Sequence, residues 1–302
     1  MTALKKQETR IRSRGSDRLF SAFNYAFAVL LLVMILYPLY FIIISSLSDP
    51  SAVSTGKVWL RPVGFTTEGY QALLEHEKLW IGYRNTLVYT LLGTAFGLFV
   101  NIAAAYALSR KDLVLRGPLM VLFVIPMFFS GGLIPIFMTV KQFGFYNNFW
   151  VMVIPFAVSS YNVIVARTFF ESNIPGDLWD AAQIDGCGNL RFFFTIVLPL
   201  SKAIVSVLAL WIAVGHWNSY FNALIYLRDD NLMPLQIILR NILVTNQMQS
   251  AMGTGEHVQI ALRKAALIRY SSIIVSTIPI MCFYPFVQKY FNQGVMIGAV
   301  KG

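Results

Sequence analysis

Long uncharged runs alternate with short polar stretches along the chain. The uncharged intervals run 19–48, 85–109, 117–140, 142–166, 203–227 and 270–288. Each is long enough to hold the roughly 20 apolar residues that carry an α-helix across a bilayer. The apolar residues are continuous within each run, not alternating, which argues against the short strands of a membrane β-barrel. The pattern predicts an all-α membrane protein with six transmembrane helices.

Several intervals contain interruptions. The third holds Pro118, Pro126, Gly131, Gly132 and Pro135. Proline removes a backbone donor and kinks a helix. In lipid the freed groups must be satisfied by protein or by a water-lined cavity. This stretch is expected either to face the bundle interior or a pore, or to be a simple packing kink. The second interval holds Gly93 and Gly97 at small-xxx-small spacing, which lets helices approach closely. The fifth carries Trp211, His216, Trp217, Asn218, Tyr220 and Asn222. Polar side chains at membrane depth usually face a cavity or a partner. Aromatic rings beside amides suit a sugar, whose face is apolar and whose hydroxyls need hydrogen bonds. The same residues also fit an outer interfacial aromatic belt. Trp217, Asn218 and Tyr220 are the candidates for a substrate pathway, and His216 is read as a packing residue.

Composition agrees with lipid as the solvent. The chain is 57% hydrophobic and 13% charged, against about 25% charged in soluble domains. The net charge of +10 does not point to nucleic acid, because the basic residues flank apolar runs. Lys5, Lys6, Arg10, Arg12, Arg14 and Arg18 precede the first run, and Arg110, Lys111 and Arg116 separate the second and third. Arg167, Arg191 and Lys202 separate the fourth and fifth, and Lys289 and Lys301 follow the sixth. With six spans these lie on one side, which the positive-inside rule makes cytoplasmic, together with both termini. The first run exceeds the 7–15 residue core of a signal peptide, so a retained anchor is expected. Cys187 and Cys282 match no metal spacing and are read as free. The outer segment 228–268 contains Met233-Pro-Leu-Gln-Ile-Ile-Leu-Arg-Asn-Ile-Leu. It is expected to form an amphipathic helix on the outer surface, seating a partner protein or lining a gate.

The segment between the fourth and fifth runs is the most informative. Pro175 fits a first helical turn. Asp177 and Asp180 sit where the helix dipole favours negative charge, and Gly186 suits a left-handed terminus. A helix of about three turns over 175–185 follows. Leu178, Ala181, Ala182 and Asp185 share one face, a shallow surface on which another protein's groove can close. Asn189 is expected to cap a second short helix that Pro199 ends. The result is a rigid knob fixed to the start of the fifth run.

Asp180-Ala181-Ala182-x-x-Asp185-Gly186, followed by Phe193, Ile196, Leu198 and Pro199, resembles the EAA loop of permease subunits in bacterial ABC importers. Asp180 stands where Glu is usual and Cys187 where Ala is usual. The end of the chain, Gln288-Lys-Tyr-Phe-Asn-Gln-Gly294-Val-Met-Ile-Gly298-Ala-Val-Lys301-Gly302, is similar to the tail of carbohydrate permeases of the maltose MalG type. It is closest to the oligosaccharide subgroup named after LplC and YtcP. The resemblance implies a type I ABC importer transmembrane-domain fold in a bacterial plasma membrane. It also implies that Asp180, Ala181, Ala182, Asp185, Gly186, Cys187 and Pro199 couple to an ATPase, with Gly298, Lys301 and Gly302 at the ATPase interface. The implied partners are a second permease subunit, most simply in a heterodimer, a dimer of ATP-binding subunits holding ATP and Mg, and an extracellular solute-binding protein. The implied substrate is a carbohydrate, in particular an oligosaccharide.

On this reading residues 1–23 form a cytoplasmic basic N-terminus, 24–292 the permease domain with its coupling loop at 174–200, and 293–302 a Gly-rich cytoplasmic tail. The sequence contains no G-x-x-x-x-G-K-S/T phosphate loop, so an ATPase site in this chain is not expected. No H-E-x-x-H or G-x-S-x-G site is present, and no cofactor is expected. An ion-gradient-driven secondary transporter would need intramembrane charges for coupling, and the six runs contain none. A non-transporting membrane scaffold would leave the EAA-like loop without a purpose. ATP-driven import by way of a separate ATPase is the reading that uses every feature.

Overall fold

A computed structural model describes residues 15–252, 263 and 265–282. The described residues are helical and irregular, with no strand among them. The helices are α1 (Gly15–Ser46), α2 (Pro50–Ser54), α3 (Glu68–Leu74), α4 (Glu77–Ser109), α5 (Arg116–Phe128), α6 (Leu133–Gln142) and α7 (Ser160–Asn173). There follow α8 (Gly176–Ile184), α9 (Asn189–Phe192), α10 (Leu198–Leu200), α11 (Lys202–Trp217), α12 (Phe221–Tyr226), α13 (Leu235–Met252) and α14 (Ala265–Cys282).

The six apolar runs are not six uninterrupted helices. Among the described residues α1, α4 and α14 are long and apolar enough to cross a membrane, and α9–α10 joined to α11 forms a fourth, sharply bent, candidate. The third run is split by Phe129–Gly132, where Gly132 takes a left-handed φ of 86°. Pro126 closes α5, since it removes one ladder donor two residues before the helix stops. Apart from Val140, α5 and α6 have no buried residue. The expected position inside the bundle is therefore not found within this chain. The fourth run also breaks. A 3-10 turn at Phe149–Met152, capped by the Asn148 side chain, and an irregular stretch precede α7, whose first turn the Ser159 hydroxyl caps.

The irregular stretches are held by α4. Its buried residues include Gly82, Asn85, Thr86, Tyr89, Gly93, Gly97, Asn101, Ala105 and Leu108, a stripe at three- and four-residue spacing that keeps one helix face inward. The stripe is small and polar, while Leu87, Leu91, Leu92, Phe96 and Phe99 point outward. Each polar member bonds backbone that has no helical partner. Asn85 Nδ2 donates to Asn231 O (2.7 Å) and Met233 O (3.1 Å). Tyr89 Oη donates to Leu232 O at 2.8 Å, and Thr86 Oγ1 accepts from Leu235 N at 2.8 Å. Asn101, fully buried, donates from Nδ2 to Gly97 O (2.6 Å) and Ala157 O (2.7 Å), and its Oδ1 accepts from Ser159 N (2.9 Å).

The glycines of the stripe set the helix spacing. A Cβ on Gly93 would lie 2.4 Å from the His216 ring, and one on Gly97 would lie 3.3 Å from Ala157 O and 3.4 Å from Ile212. The small-xxx-small pair is thus where α11 and the pre-α7 stretch seat on α4. Helix α13 joins from the other end, burying Leu235, Ile237, Ile238, Leu239 and Ile242 while Arg240 and Asn241 stay exposed. It is amphipathic as expected, and its apolar face packs against the start of α4. Far along the chain Asn147, at φ 51°, accepts from Arg228 N (2.8 Å) and Asp229 N (2.9 Å), closing the loop after α6 onto the loop after α12.

Replacing Asn101 by Leu keeps the volume and removes all three bonds. The orphaned Ala157 carbonyl and Ser159 amide should cost about 2–5 kcal/mol. Gly93→Ala should cost about 1–3 kcal/mol through its clash with His216. Thermal unfolding in detergent checks both, with Leu91→Ala on the outward face as the near-neutral control.

Candidate functional site

The expected knob forms, and its ends are well defined. Pro175, extended at φ −60° and ψ 142°, leads into α8, and Asp185 closes it. Gly186 has φ +73°. Its N–H donates to Gln183 O (3.0 Å), and Cys187 N–H donates to Ala182 O (2.8 Å). These two bonds are the pair that satisfies the last carbonyls of a helix when a left-handed residue follows it. Only glycine takes that conformation without strain from a Cβ.

The inner face of α8 is Trp179 and Ala182. Ala182 is buried in the cluster that also holds Ile102, Ala105, Phe170, Phe192 and Val197, and Cys187 packs against that cluster. Trp179 meets Phe192 edge to face at 5.0 Å. The Arg110 guanidinium covers the other side of the indole, 3.9 Å from its centroid, and is itself held by Asp112 through Nε (3.0 Å) and Nη2 (2.9 Å). Those bonds hold the Asp112 carboxyl below its ordinary value of 3.8. A second ionic cluster lies beside it. Arg116 and Arg167 share Glu171, and their Nε atoms donate to Leu108 O at 3.0 and 3.2 Å. The end of α4, the start of α5 and the end of α7 are joined there, and α8 is stacked on the loop between α4 and α5.

Two expectations are corrected. Ala182 does not sit on the outward face with Leu178 and Ala181; it anchors α8 to its own chain. The outward surface is Leu178, Ala181 and Ile184, flanked by Asp177, Asp180 and Asp185, all exposed. Ile184 is 87% exposed. Second, Gly188 and not Asn189 caps α9, and the helical run passes Pro199 by one residue, ending at Leu200. Residues Phe193–Val197 widen into a π turn before α10. The chain then bends by 83° at Ser201 into α11. Proline at 199 has no N–H to give the preceding turn, and a π turn is a common way to absorb such a break. Tyr106 of α4 lies 4.9 Å from Phe193, so the bend too rests on α4.

The three pathway candidates do not converge. Trp217 is 5% exposed, and its Nε1 donates to Ser276 O at 3.0 Å, tying α11 to α14. In this structure it packs between the two helices. Asn218 is exposed and its amide returns to Val214 O at 2.9 Å. Tyr220 is half-buried, with the Arg240 guanidinium 6.0 Å from its ring. Gly298, Lys301 and Gly302 lie outside the described residues. Trp179 and Arg110, the anchors of the knob, were not anticipated. The available signal was the three-residue spacing of Trp179 and Ala182, which marks an inward stripe opposite Ala181 and Ile184.

Residues 93–297 match the family model described as binding-protein-dependent transport system inner membrane component. The chain belongs to this family. The match takes in α8, its anchors and the α4 stripe from Gly93 onward. Full-length relatives support it. The chain is 37% identical to the polygalacturonan/rhamnogalacturonan transport system permease protein YtcP of Bacillus subtilis over 95% of this chain and 99% of that protein. It is 32% identical to protein LplC of the same organism, over 95% and 96%. A crystal structure of a bacterial ABC transporter that imports the acidic polysaccharide alginate has a chain that superposes with a TM-score of 0.83. The identity is 31%, covering 93% of this chain and 99% of that one. The fold is the type I ABC importer permease fold, and this transport component is an inner membrane protein.

In this permease, Gly186→Val should fray the end of α8 at a cost of about 1–2 kcal/mol, and Trp179→Ala should cost on the order of 3 kcal/mol. Because the folded-state value of Asp112 is lowered, its contribution is complete above the ordinary carboxylate value and is lost as the pH falls through the folded one. The anchoring of α8 should therefore be unchanged from roughly pH 5 upward. Protection of 176–187 from hydrogen exchange, measured across pH with intrinsic rates corrected, checks all three.

Proposed function

We propose that this chain is one of two permease subunits of an ATP-driven importer of oligosaccharides, with α8 as the helix that docks in a cleft of the ATPase. The observation that carries the proposal is the outward surface of α8. Leu178, Ala181 and Ile184 form a small apolar patch on a helix closed at its C-terminal end and bolted by Trp179 and Arg110 to the chain's own core. A surface that is rigid, apolar and uncovered fits a partner's groove. Asp177, Asp180 and Asp185 around it supply charge at the rim, where specificity is set.

Two helices lead away from this knob. Helix α7 ends at it, and α9–α10 carries it through the 83° bend into α11. ATP binding by the partner ATPase, with its Mg, draws the coupling helices of the two permease subunits together. Movement of α8 then carries the near ends of α7 and α11 and exchanges inward- and outward-open states, a two-state equilibrium biased by ligands. Hydrolysis resets it. The knob faces the cytoplasm, as do both termini. A solute-binding protein delivers sugar on the opposite side. Names of relatives that mention polygalacturonan, arabinooligosaccharides and melibiose favour an oligosaccharide.

The break in the third apolar run fits a second subunit as well. The break at Phe129–Gly132 leaves non-helical backbone between α5 and α6, both largely uncovered by this chain. Such backbone is tolerated at membrane depth only against protein or a water-lined cavity. On the proposed reading the other permease subunit supplies that cover.

Ile184→Asp should leave insertion and the assembled permease pair intact and weaken retention of the ATPase by at least about tenfold, since it places an unpaired charge in the groove. Ala181→Trp should do the same by bulk. Affinity purification from membranes, with the bound chains identified, tests this. Undiminished ATPase recovery with both variants would remove α8 as the docking element.

A further inference from the structure

Three serines lie buried at the end of α1 and just beyond it: Ser45, Ser46 and Ser48. Two are satisfied by the chain. Ser46 Oγ donates to Ile43 O at 2.7 Å and bonds the Tyr70 hydroxyl at 2.6 Å. Ser48 Oγ donates to Ile44 O at 2.5 Å and accepts from Val63 N at 3.2 Å. Ser45, 3% exposed, has no partner for its Oγ among the described residues. Buried polar groups in native structures are nearly always hydrogen-bonded. Ser45 lines a cavity of about 290 Å³, where the end of α1 and the helix α2 meet Leu243 of α13 and the start of α14. Arg269 and Tyr270 line it too, and neither the guanidinium nor the hydroxyl has an ion pair or hydrogen bond among the described residues. No Asp or Glu is among the described residues of the wall. Asp49, which precedes Pro50 of that wall, is already held by Arg263 at 3.3 Å and by Ser51 N at 2.9 Å. The cavity therefore presents donors and one open positive charge, which calls for an anion.

Depth decides which anion. Helices α1 and α14 are each long and apolar enough to cross a membrane, and the cavity sits at the end of one and the start of the other. Tyr37 Oη donates to Trp59 O at 3.4 Å and Tyr40 Oη to Leu60 O at 2.5 Å, which lays the exposed Trp59 and Leu60 back along α1. Tyrosine and tryptophan together mark the headgroup level of a bilayer. One to two turns deeper, Leu39 and Ile43 of α1 and Ile273 and Ile278 of α14 are exposed, and they offer acyl chains an apolar surface beside the cavity.

We propose that this cavity holds the headgroup of an anionic glycerophospholipid, with its phosphate on Arg269 and its oxygens within reach of Ser45 and Tyr270. A guanidinium pairs with phosphate through two parallel bonds, and hydroxyls both donate and accept. An ethanolamine headgroup would bring an ammonium for which the wall has no carboxylate, so a glycerol headgroup is preferred. The volume is close to the lower end of the roughly 300–1,000 Å³ of small-molecule pockets, which suits a headgroup whose chains stay outside. The lipid braces a weak corner. The described buried residues of α1 are Ile44, Ser45 and Ser46, all in its last turn, and its contact with α14 includes the edge-to-face pair of Phe41 and Tyr270 at 6.3 Å. Helix α14 is in turn tied to α11 through Ser276 and Trp217. The reading needs the chain to sit in a membrane and does not depend on what it transports.

The test uses the full-length chain purified with its bound subunits and stripped of lipid in mild detergent. The probes are a phosphatidylglycerol carrying a fluorescent chain, a phosphatidylethanolamine with the same chains, and inorganic phosphate. Phosphatidylglycerol should bind the parent about fivefold or more tightly than phosphatidylethanolamine. Arg269→Gln should weaken it about tenfold or more and Ser45→Ala about threefold, the worth of a charge-assisted and of a neutral hydrogen bond. Arg61→Gln, an exposed cation outside the cavity wall, should leave it unchanged. Ser45→Ala removes only an unpartnered hydroxyl and should unfold no earlier than the lipid-free parent, so the test stands even where Arg269→Gln folds poorly. Equal affinity for phosphatidylglycerol in the parent, Arg269→Gln and Ser45→Ala would overturn the proposal. Displacement of the lipid by inorganic phosphate at matching concentration would overturn it in favour of a soluble anion. A photo-crosslinking residue in place of Ala266 that joins an accompanying subunit in every state would overturn it by assigning the cavity to a protein contact.

Discussion

The fold depends on one constraint: irregular backbone inside a bilayer must find its hydrogen bonds within the protein. Helix α4 meets it. Asn85, Thr86, Tyr89 and Asn101 turn a polar stripe inward and bond the loop before α13 and the stretch before α7. Gly82, Gly93 and Gly97 between them let the bonded segments come close enough. The usual arrangement of a soluble helix is reversed, with leucine and phenylalanine outside and amides within. Water is absent on the outside, so the exposed apolar face costs nothing there, and the inward amides are worth having because each satisfies backbone that lipid cannot.

This arrangement makes the functional parts possible. A helix that starts in mid-protein, as α7 does, needs its first N–H groups satisfied, and Ser159 and Asn101 do that. The same start opens a cavity beside α11. At the other end, α4 stops at Ser109 and hands the chain to Arg110, whose guanidinium clamps Trp179. One helix thus supports both the cavity beside α11 and the helix proposed above to dock the ATPase. The interval between them is set by helices of fixed rise, which transmit displacement without stretching.

On the proposed reading the knob is a partner surface prepared in advance. Trp179 and Ala182 fasten α8 inward, and the left-handed Gly186 finishes it with its carbonyls satisfied. Less ordering remains to be done when the partner arrives, which is where preorganised surfaces gain affinity. The polar rim and the exposed Ile184 are then left for recognition.

The class of protein, the presence of α8, its start near Pro175 and its stop at Gly186 were legible in the sequence, because each follows from local chemistry: hydropathy, a missing N–H, a conformation only glycine takes easily. The EAA-like residues carried the family. Tertiary structure settled which alanine faces inward: Ala181 and Ala182 are chemically the same, the three-residue spacing of Trp179 and Ala182 is a thin signal, and packing on Phe192 and the α4 core fixes it. It also turned Trp217 into a tie between helices, because an indole suits a core or a sugar equally until the Ser276 carbonyl is found beside it. The breaks in the third and fourth runs, and the cavity lined by Asn162, Ser219 and Asn222, depend on what α4 bonds across the fold. A residue's partners a hundred positions away are not written in its neighbours, and hydrogen-bond satisfaction inside a membrane is a property of the assembled whole.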